Sequence, residues 1–203
     1  VTGVQTCALP ILARILFSTF GSYGDLYPYL ALGNEMRSRG HQVTLATSET
    51  YRTRVEAEGL RFHPVHPDIS MEDREMLAYV MDAKHGTERI VRYLASIVRD
   101  SYRDIEHAAA EADLLVTHPI TFASVLAARK LGKPWVSTVL APISFFSPFD
   151  PPMVAPAPWL YKLRSLGPSA MKLWMKPAER VTLRWIRPLL QFEQELGLSP
   201  RGN

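Results

Sequence analysis

Beyond its first residues the chain alternates short apolar runs with longer amphipathic ones, the pattern that βαβ units around a parallel sheet produce. Arg14 to Thr19 predicts a first strand. Pro28 then stands early in a helix, where a missing N–H costs nothing. Leu30, Leu32 and Met36 recur at helical spacing over Tyr29 to Arg39 until Gly40 ends the run. Gln42 to Ala46 reads as a second strand. A helix capped by Thr47 or Ser48 runs through Glu58 to Gly59, and Leu60 to Val65 reads as a third strand.

The middle breaks the rhythm. Met71 to Asp82 and Thr87 to Ala112 predict two helices with no strand between them, and Ile90, Leu94, Ile97, Val98, Ile105 and Ala108 form one apolar face on the longer. The alternation resumes with a strand over Asp113 to Thr117, a helix over Thr121 to Leu131 closed by Gly132, and a strand over Trp135 to Leu140. After an aromatic, proline-rich loop, Ala141 to Pro158, the segment Trp159 to Leu196 predicts helix in pieces, interrupted at Gly167-Pro168, Pro177 and Pro188 and stopped by Gly197. The expected architecture is therefore α/β: a Rossmann-like parallel sheet flanked by helices, followed by a C-terminal helical segment.

Composition narrows the classes. With 203 residues, 47% apolar and 21% charged, the chain is an ordinary globular one rather than disordered or fibrous. A formal charge of +3 is too small to argue for nucleic acid. A lone cysteine, Cys7, makes no internal disulfide, which fits a cytoplasmic setting. Val1 to Ile11 resembles the in-frame translation of a sequencing-adapter oligonucleotide; we expect the native chain to resume near Leu12, which makes residues 12–203 the domain.

Candidate chemistry concentrates at two strand ends. The first strand runs through Gly21 and Gly24 into a helix, which places the turn and the cleft-facing Asp25 at the carboxyl edge of the sheet. Asp25 is either a helix N-cap or a carboxylate that takes a proton from a bound hydroxyl. His118 ends the strand from Asp113; it is either a surface imidazole or, if the two strands are neighbours, a hydrogen-bonded acid–base partner of Asp25. The turn fails as a dinucleotide fingerprint because Tyr23 and Leu26 stand where glycines are needed, which argues against a nucleotide-binding oxidoreductase. No metal is expected: His63 and His66, bracketed by prolines, lack a third ligand and serve to end a strand, and His41 suits a loop-backbone contact. Phe145, Phe146 and Phe149 fit an apolar ligand or lid, or burial against the last helices. Between Trp159 and Leu190 seven basic residues face Glu179 alone. With interleaved tryptophans and leucines this is an interfacial segment on an anionic membrane or, the favoured reading, a helical lobe packed on its own sheet with a basic outer face.

Six segments follow one another in order: Phe-Gly-Ser-Tyr-Gly-Asp-Leu-Tyr-Pro from Phe20, Arg-Gly-His-Gln-Val-Thr from Arg39, Glu-Gly-Leu-Arg-Phe from Glu58, Ala-Asp-Leu-Leu-Val from Ala112, Leu-Gly-Lys-Pro from Leu131 and Glu-Leu-Gly-Leu from Glu195. Together they resemble the N-terminal half of GT-B glycosyltransferases, nearest the glycosyltransferase family 28 N-terminal domain and its bacterial branch acting on sterols, lipids, macrolides and glycopeptides. The resemblance implies a lobe that holds a small hydrophobic hydroxyl acceptor, with Tyr23, Phe145, Phe146 and Phe149 around it. It implies sugar transfer with inversion, Asp25 as base and His118 as its partner. Many relatives carry the pair swapped, His at the first position and Asp at the second. The donor, a nucleotide-diphosphate sugar, is expected in a C-terminal lobe of roughly 200 residues that this chain, stopping at Asn203, does not include, so the lobe by itself binds no cofactor and transfers no sugar. A stand-alone acceptor-binding or regulatory module is the alternative. The expected location is the cytoplasm, with peripheral contact at the inner membrane face.

Overall fold

Five parallel strands form one sheet in the computed structural model, which describes residues 12–69, 73–141, 145, 147–151 and 158–199. They are β1 (Arg14–Ser18), β2 (Gln42–Thr47), β3 (Arg61–Pro64), β4 (Leu114–Thr117) and β5 (Trp135–Ser137), in the order β3-β2-β1-β4-β5. Each lies within a few residues of its sequence expectation. The helices are α1 (Tyr23–Ser38), α2 (Arg52–Ala57), α3 (Arg74–Val80), α4 (Gly86–Ser96), α5 (Val98–Glu111), α6 (Phe122–Lys130), α7 (Pro168–Trp185) and α8 (Arg187–Glu195), with 3-10 turns at Glu49–Tyr51 and Pro158–Leu166.

β1 is buried on both faces, as the centre of a parallel sheet must be. Ile15 and Phe17 point to one side, where Val43, Leu45 and Val116 meet Leu26, Tyr29 and Leu30 of α1 and Val55 of α2. Leu16 points to the other, where Ala46 and Leu115 meet Val98, Tyr102 and Ile105 of α5, Leu126 of α6 and Phe192 of α8. The period-two alternation of β1 thus feeds two helical layers. Gly33 lets α1 pack closely against Leu60 and Val43: a Cβ there would lie 2.8 Å from Leu60 Cδ1 and 3.4 Å from Val43 Cγ1.

Several expectations change. α1 begins at Tyr23, not Tyr29, and Pro28 lies inside it. The buried set is accordingly Leu26, Tyr29, Leu30 and Gly33, at the i, i+3, i+4, i+7 spacing, while Leu32 is exposed. The long helix expected over Thr87 to Ala112 is two, divided at Ile97. Ser48 does not cap the next helix, because its hydroxyl donates to Asp68 Oδ1 at 2.6 Å; nor does the Thr47 side chain, which is buried one residue earlier. Helix does break at Gly167, with φ of 87°, but Pro177 lies within α7 and Pro188 in the first turn of α8. Residues 1–11 and Met71 lie outside the described residues.

Candidate active site at the carboxyl edge of the sheet

β1 and β4 are neighbours, with Ser18 opposite Thr117. Sequential strands β2 and β3 continue to one side of β1 and β4 and β5 to the other, so the chain reverses its direction of growth between β1 and β4. In open α/β sheets the crevice outside the strand ends at that reversal is where ligands bind. Asp25 arrives there from the turn after β1 and His118 from the end of β4.

Ser22, not Asp25, is the N-cap of α1. Its Oγ accepts from the Gly24 N–H at 3.2 Å, and Asp25, three residues on, returns the contact: Oδ2 accepts from the Ser22 N–H at 2.8 Å and from the Ser22 hydroxyl at 3.1 Å. This capping box pins the carboxylate by one oxygen. The other, Oδ1, lies 3.7 Å from His118 Nε2. The two groups are therefore brought together as expected, but at a distance beyond a hydrogen bond.

Gly21 makes the arrangement sterically available. Its φ of 137° is one that side chains rarely adopt, and a Cβ there would sit 2.2 Å from Asp25 Oδ2. Its carbonyl accepts from the Tyr51 hydroxyl at 2.8 Å, which ties the turn to the 3-10 turn that follows β2. Gly24 is not constrained in this way; its amide serves the cap.

The His118 side chain is 12% exposed and that of Asp25 33%, so the carboxylate is the more reachable of the two. Burial pushes the His118 pKa below its ordinary 6.5, opposed in part by the negative charge of Asp25. A neutral ring carries one proton. Nδ1 faces the Ile120 N–H at 3.5 Å as an acceptor, which assigns the proton to Nε2, on the Asp25 side.

Tyr29, one turn after Asp25 and fully buried, packs behind the histidine. Its ring meets His118 edge-on at 6.2 Å, and its hydroxyl pairs with Thr138 Oγ1 at 2.5 Å, just past β5. Tyr29, Tyr51 and Thr138 were not singled out from the sequence. Only the i, i+4 relation of Tyr29 to Asp25 offered a signal.

The aromatic candidates divide. Tyr23 stacks on Tyr27 at 5.5 Å and meets Tyr51 edge-on at 5.3 Å, half-exposed beside the turn. Phe145 and Phe149 are exposed in the loop after β5, so burial against the last helices is not their role; Phe146 lies outside the described residues. A small cavity of about 30 Å³, room for a water molecule, opens past the ends of β1 and β4 on the side of α4 and α5, lined by Ser18, Thr19, His66, Leu94, Val98 and Thr121 among others; neither Asp25 nor His118 lines it. His63 Nε2 and His66 Nδ1 both reach Asp104 of α5, at its carbonyl and carboxylate, each at 2.7 Å, and His41 Nδ1 accepts from the Ala13 N–H. At the failed fingerprint positions Leu26 is buried in the core and Tyr23 carries its stacked ring.

The profile of the Glycosyltransferase family 28 N-terminal domain matches residues 15–138. The Sterol 3-beta-glucosyltransferase of Eremothecium gossypii is 30% identical over 144 residues, covering 64% of this chain and 11% of that protein. The O-mycaminosyltylonolide 6-deoxyallosyltransferase of Streptomyces fradiae is 29% identical over 196 residues, 93% of this chain and 45% of that protein. Among solved structures, the glycosyltransferase SsfS6 of Streptomyces sp. SF2575 superposes with a TM-score of 0.55 at 21% identity, covering 94% of this chain and 48% of that one. SnogD of Streptomyces nogalater gives 0.55 at 20%, covering 94% and 42%. The fold is thus the Rossmann-like lobe of GT-B glycosyltransferases, and the chain spans less than half the length of each of these relatives.

Proposed function

Because the chain belongs to the glycosyltransferase family 28 N-terminal domain family, we propose that it is the acceptor-side lobe of an inverting glycosyltransferase that moves a hexose from a nucleotide-diphosphate sugar to a hydroxyl of a hydrophobic acceptor. The observation that carries this reading is the Asp25–His118 pair at the strand reversal, with Asp25 held by Oδ2 and open at Oδ1. The acceptor hydroxyl gives its proton to Asp25 Oδ1. Its oxygen forms the new bond to the anomeric carbon from the face opposite the diphosphate, and the carbon–oxygen bond to the diphosphate breaks, its electron pair leaving with the phosphate. Neutral His118 turns its Nε2–H toward the same carboxylate oxygen and orients it, a contact that tightens from 3.7 Å when a substrate fills the crevice. Tyr23 and the exposed phenylalanines Phe145 and Phe149 supply apolar surface for the acceptor. The leaving diphosphate is stabilised by a second, nucleotide-binding lobe, so residues 12–203 do not turn over alone.

The decisive variant is Asp25→Asn in the protein assembled with its donor lobe. Asn keeps an oxygen for the Ser22 amide, so the cap persists while the proton acceptor is gone. We expect kcat to fall by about 10²–10⁴ with acceptor binding retained by titration. A near-normal kcat would reduce Asp25 to its capping role.

A further inference from the structure

We propose that the outer face of α7, together with the 3-10 turn before it, docks on an anionic lipid surface. Only Met171 of α7 is buried. Successive positions at 100° divide the remaining circumference into two sectors. One is an apolar stripe of Ala170, Trp174, Pro177 and Val181, spaced i, i+4, i+7, i+11, on which Trp174 is 50% exposed and Val181 43%. The adjoining sector carries Lys172, Lys176, Arg180 and Arg184, with Leu173, 65% exposed, among them. Trp159 in the preceding turn is 56% exposed.

None of these four cations has an ion-pair partner among the described residues. The contrast with α8 is direct: Arg187–Glu195 is anchored by Phe192 against Tyr102, by Arg129 on Glu193 and by Lys130 on the Leu196 carbonyl. The span Trp159 to Leu190, with seven cations and one carboxylate, is more positive than the whole chain at +3, so the rest is net negative. Such concentration on one exposed face complements a negative surface.

The aliphatic side chains choose the surface. Leucine and valine interleaved with cations gain nothing against a sugar-phosphate backbone. At a bilayer they enter the headgroup–acyl boundary while lysine and arginine remain with the lipid phosphates. A second copy of this face is disfavoured, since it would set one row of cations against another. None of the described helices is long and apolar enough to cross a membrane, so the contact is a surface one. It stands independently of the sugar-transfer reading.

The test is cosedimentation of the purified protein with phosphatidylglycerol–phosphatidylcholine vesicles and with phosphatidylcholine vesicles, at low and high salt. We expect binding to the anionic vesicles only, weakened by salt, with a blue shift of tryptophan emission. The combined change Lys172→Gln, Lys176→Gln, Arg180→Gln and Arg184→Gln should weaken binding at least about a hundredfold, since each basic side chain near such a surface contributes roughly fivefold. Leu173→Ala with Trp174→Ala should cost about tenfold or more and shrink the blue shift. All six side chains are exposed, so circular dichroism should report unchanged helix. Equal binding to both vesicle types, or anionic binding that survives the four-charge variant, overturns the proposal. So does self-association lost in the Leu173/Trp174 variant with no vesicle binding, which would make the face a protein contact.

Discussion

α1 and α7 are the two longest helices, 16 and 18 residues, and each carries a proline in its interior. Beyond that they have little in common. α1 is fixed at its start by the Ser22–Asp25 capping box, and Leu26, Tyr29, Leu30 and Gly33 lie flush against the sheet. α7 starts after Gly167 with no side-chain cap and buries Met171. A helix fastened at its first turn and along one face can hold a carboxylate to within tenths of an ångström, which catalysis requires. A helix fastened along a narrow seam leaves most of its circumference for contact with something else. The comparison therefore separates the proposed mount for chemistry from the proposed docking surface, although both helices are long and carry an interior proline.

The sharpest way to break the mount is Gly21→Ala. A methyl group placed 2.2 Å from Asp25 Oδ2, at a φ of 137°, must either displace the carboxylate or reshape the turn. Turnover of the assembled enzyme should fall by about 10²–10⁴, as for loss of a general base, although residue 21 makes no contact with substrate chemistry itself. Gly24→Ala, with φ in the ordinary range and its nearest neighbour at 3.4 Å, is the control and should stay close to wild type. If both variants retain turnover, the turn does not position Asp25.

Stability gives the next contrast. Leu26 on α1 is 1% exposed and Leu173 on α7 is 65% exposed. Leu26→Ala should lower unfolding free energy by about 2–5 kcal/mol through lost burial and the cavity left behind. Leu173→Ala should stay within about 0.5 kcal/mol. Urea midpoints with unchanged m-values measure both. A comparable loss at Leu173 would mean that α7 is packed against part of the chain after all.

Much of this division was legible beforehand, and the exceptions have physical causes. The β1–β4 sheet centre follows from apolar runs of the right length, because a central parallel strand must be hydrophobic on both faces. That Asp25 and His118 share the carboxyl edge follows from strand ends; that they meet required β1 and β4 to be neighbours, which the strand order supplies. The start of α1 was missed because Pro28 suits a first turn so well that it outweighed the Ser22-x-x-Asp25 box, which was present in the sequence. The break at Ile97 has no local signal, since neither glycine nor proline stands there; α4 packs toward α3 and α7, α5 toward α6 and β1, and both share α8. Tyr51 and Thr138 join the site through hydrogen bonds across 30 and 109 residues of chain, to Gly21 and Tyr29, and no periodicity reports such pairs. The basic face of α7 points outward as expected, but its apolar stripe is left uncovered as well: amphipathic spacing says that a helix has an apolar side, not whether protein covers it.

The smallest effect probes the electrostatics of the mount. Burial lowers the His118 pKa below 6.5, while Asp25 acts in the opposite direction. In the unfolded chain the ring returns to its ordinary value, so between the two pKa values the unfolded state holds the extra proton. Stability then rises with pH across that window: the contribution is complete above 6.5 and disappears as pH falls through the folded value. A His118→Gln variant should lack this part of the pH dependence, so the difference between wild-type and variant unfolding free energies should shrink as pH is lowered just below 6.5. Asp25→Asn removes the opposing charge and should extend the loss to lower pH and enlarge it, its onset at 6.5 unchanged. Were attraction to Asp25 the stronger influence, the slope would reverse and wild type would gain stability on acidification. Chemical denaturation on either side of 6.5 distinguishes a neutral histidine held in place by Tyr29 and β4 from an imidazolium held by its carboxylate, and so decides whether the ring beside Asp25 is neutral or charged.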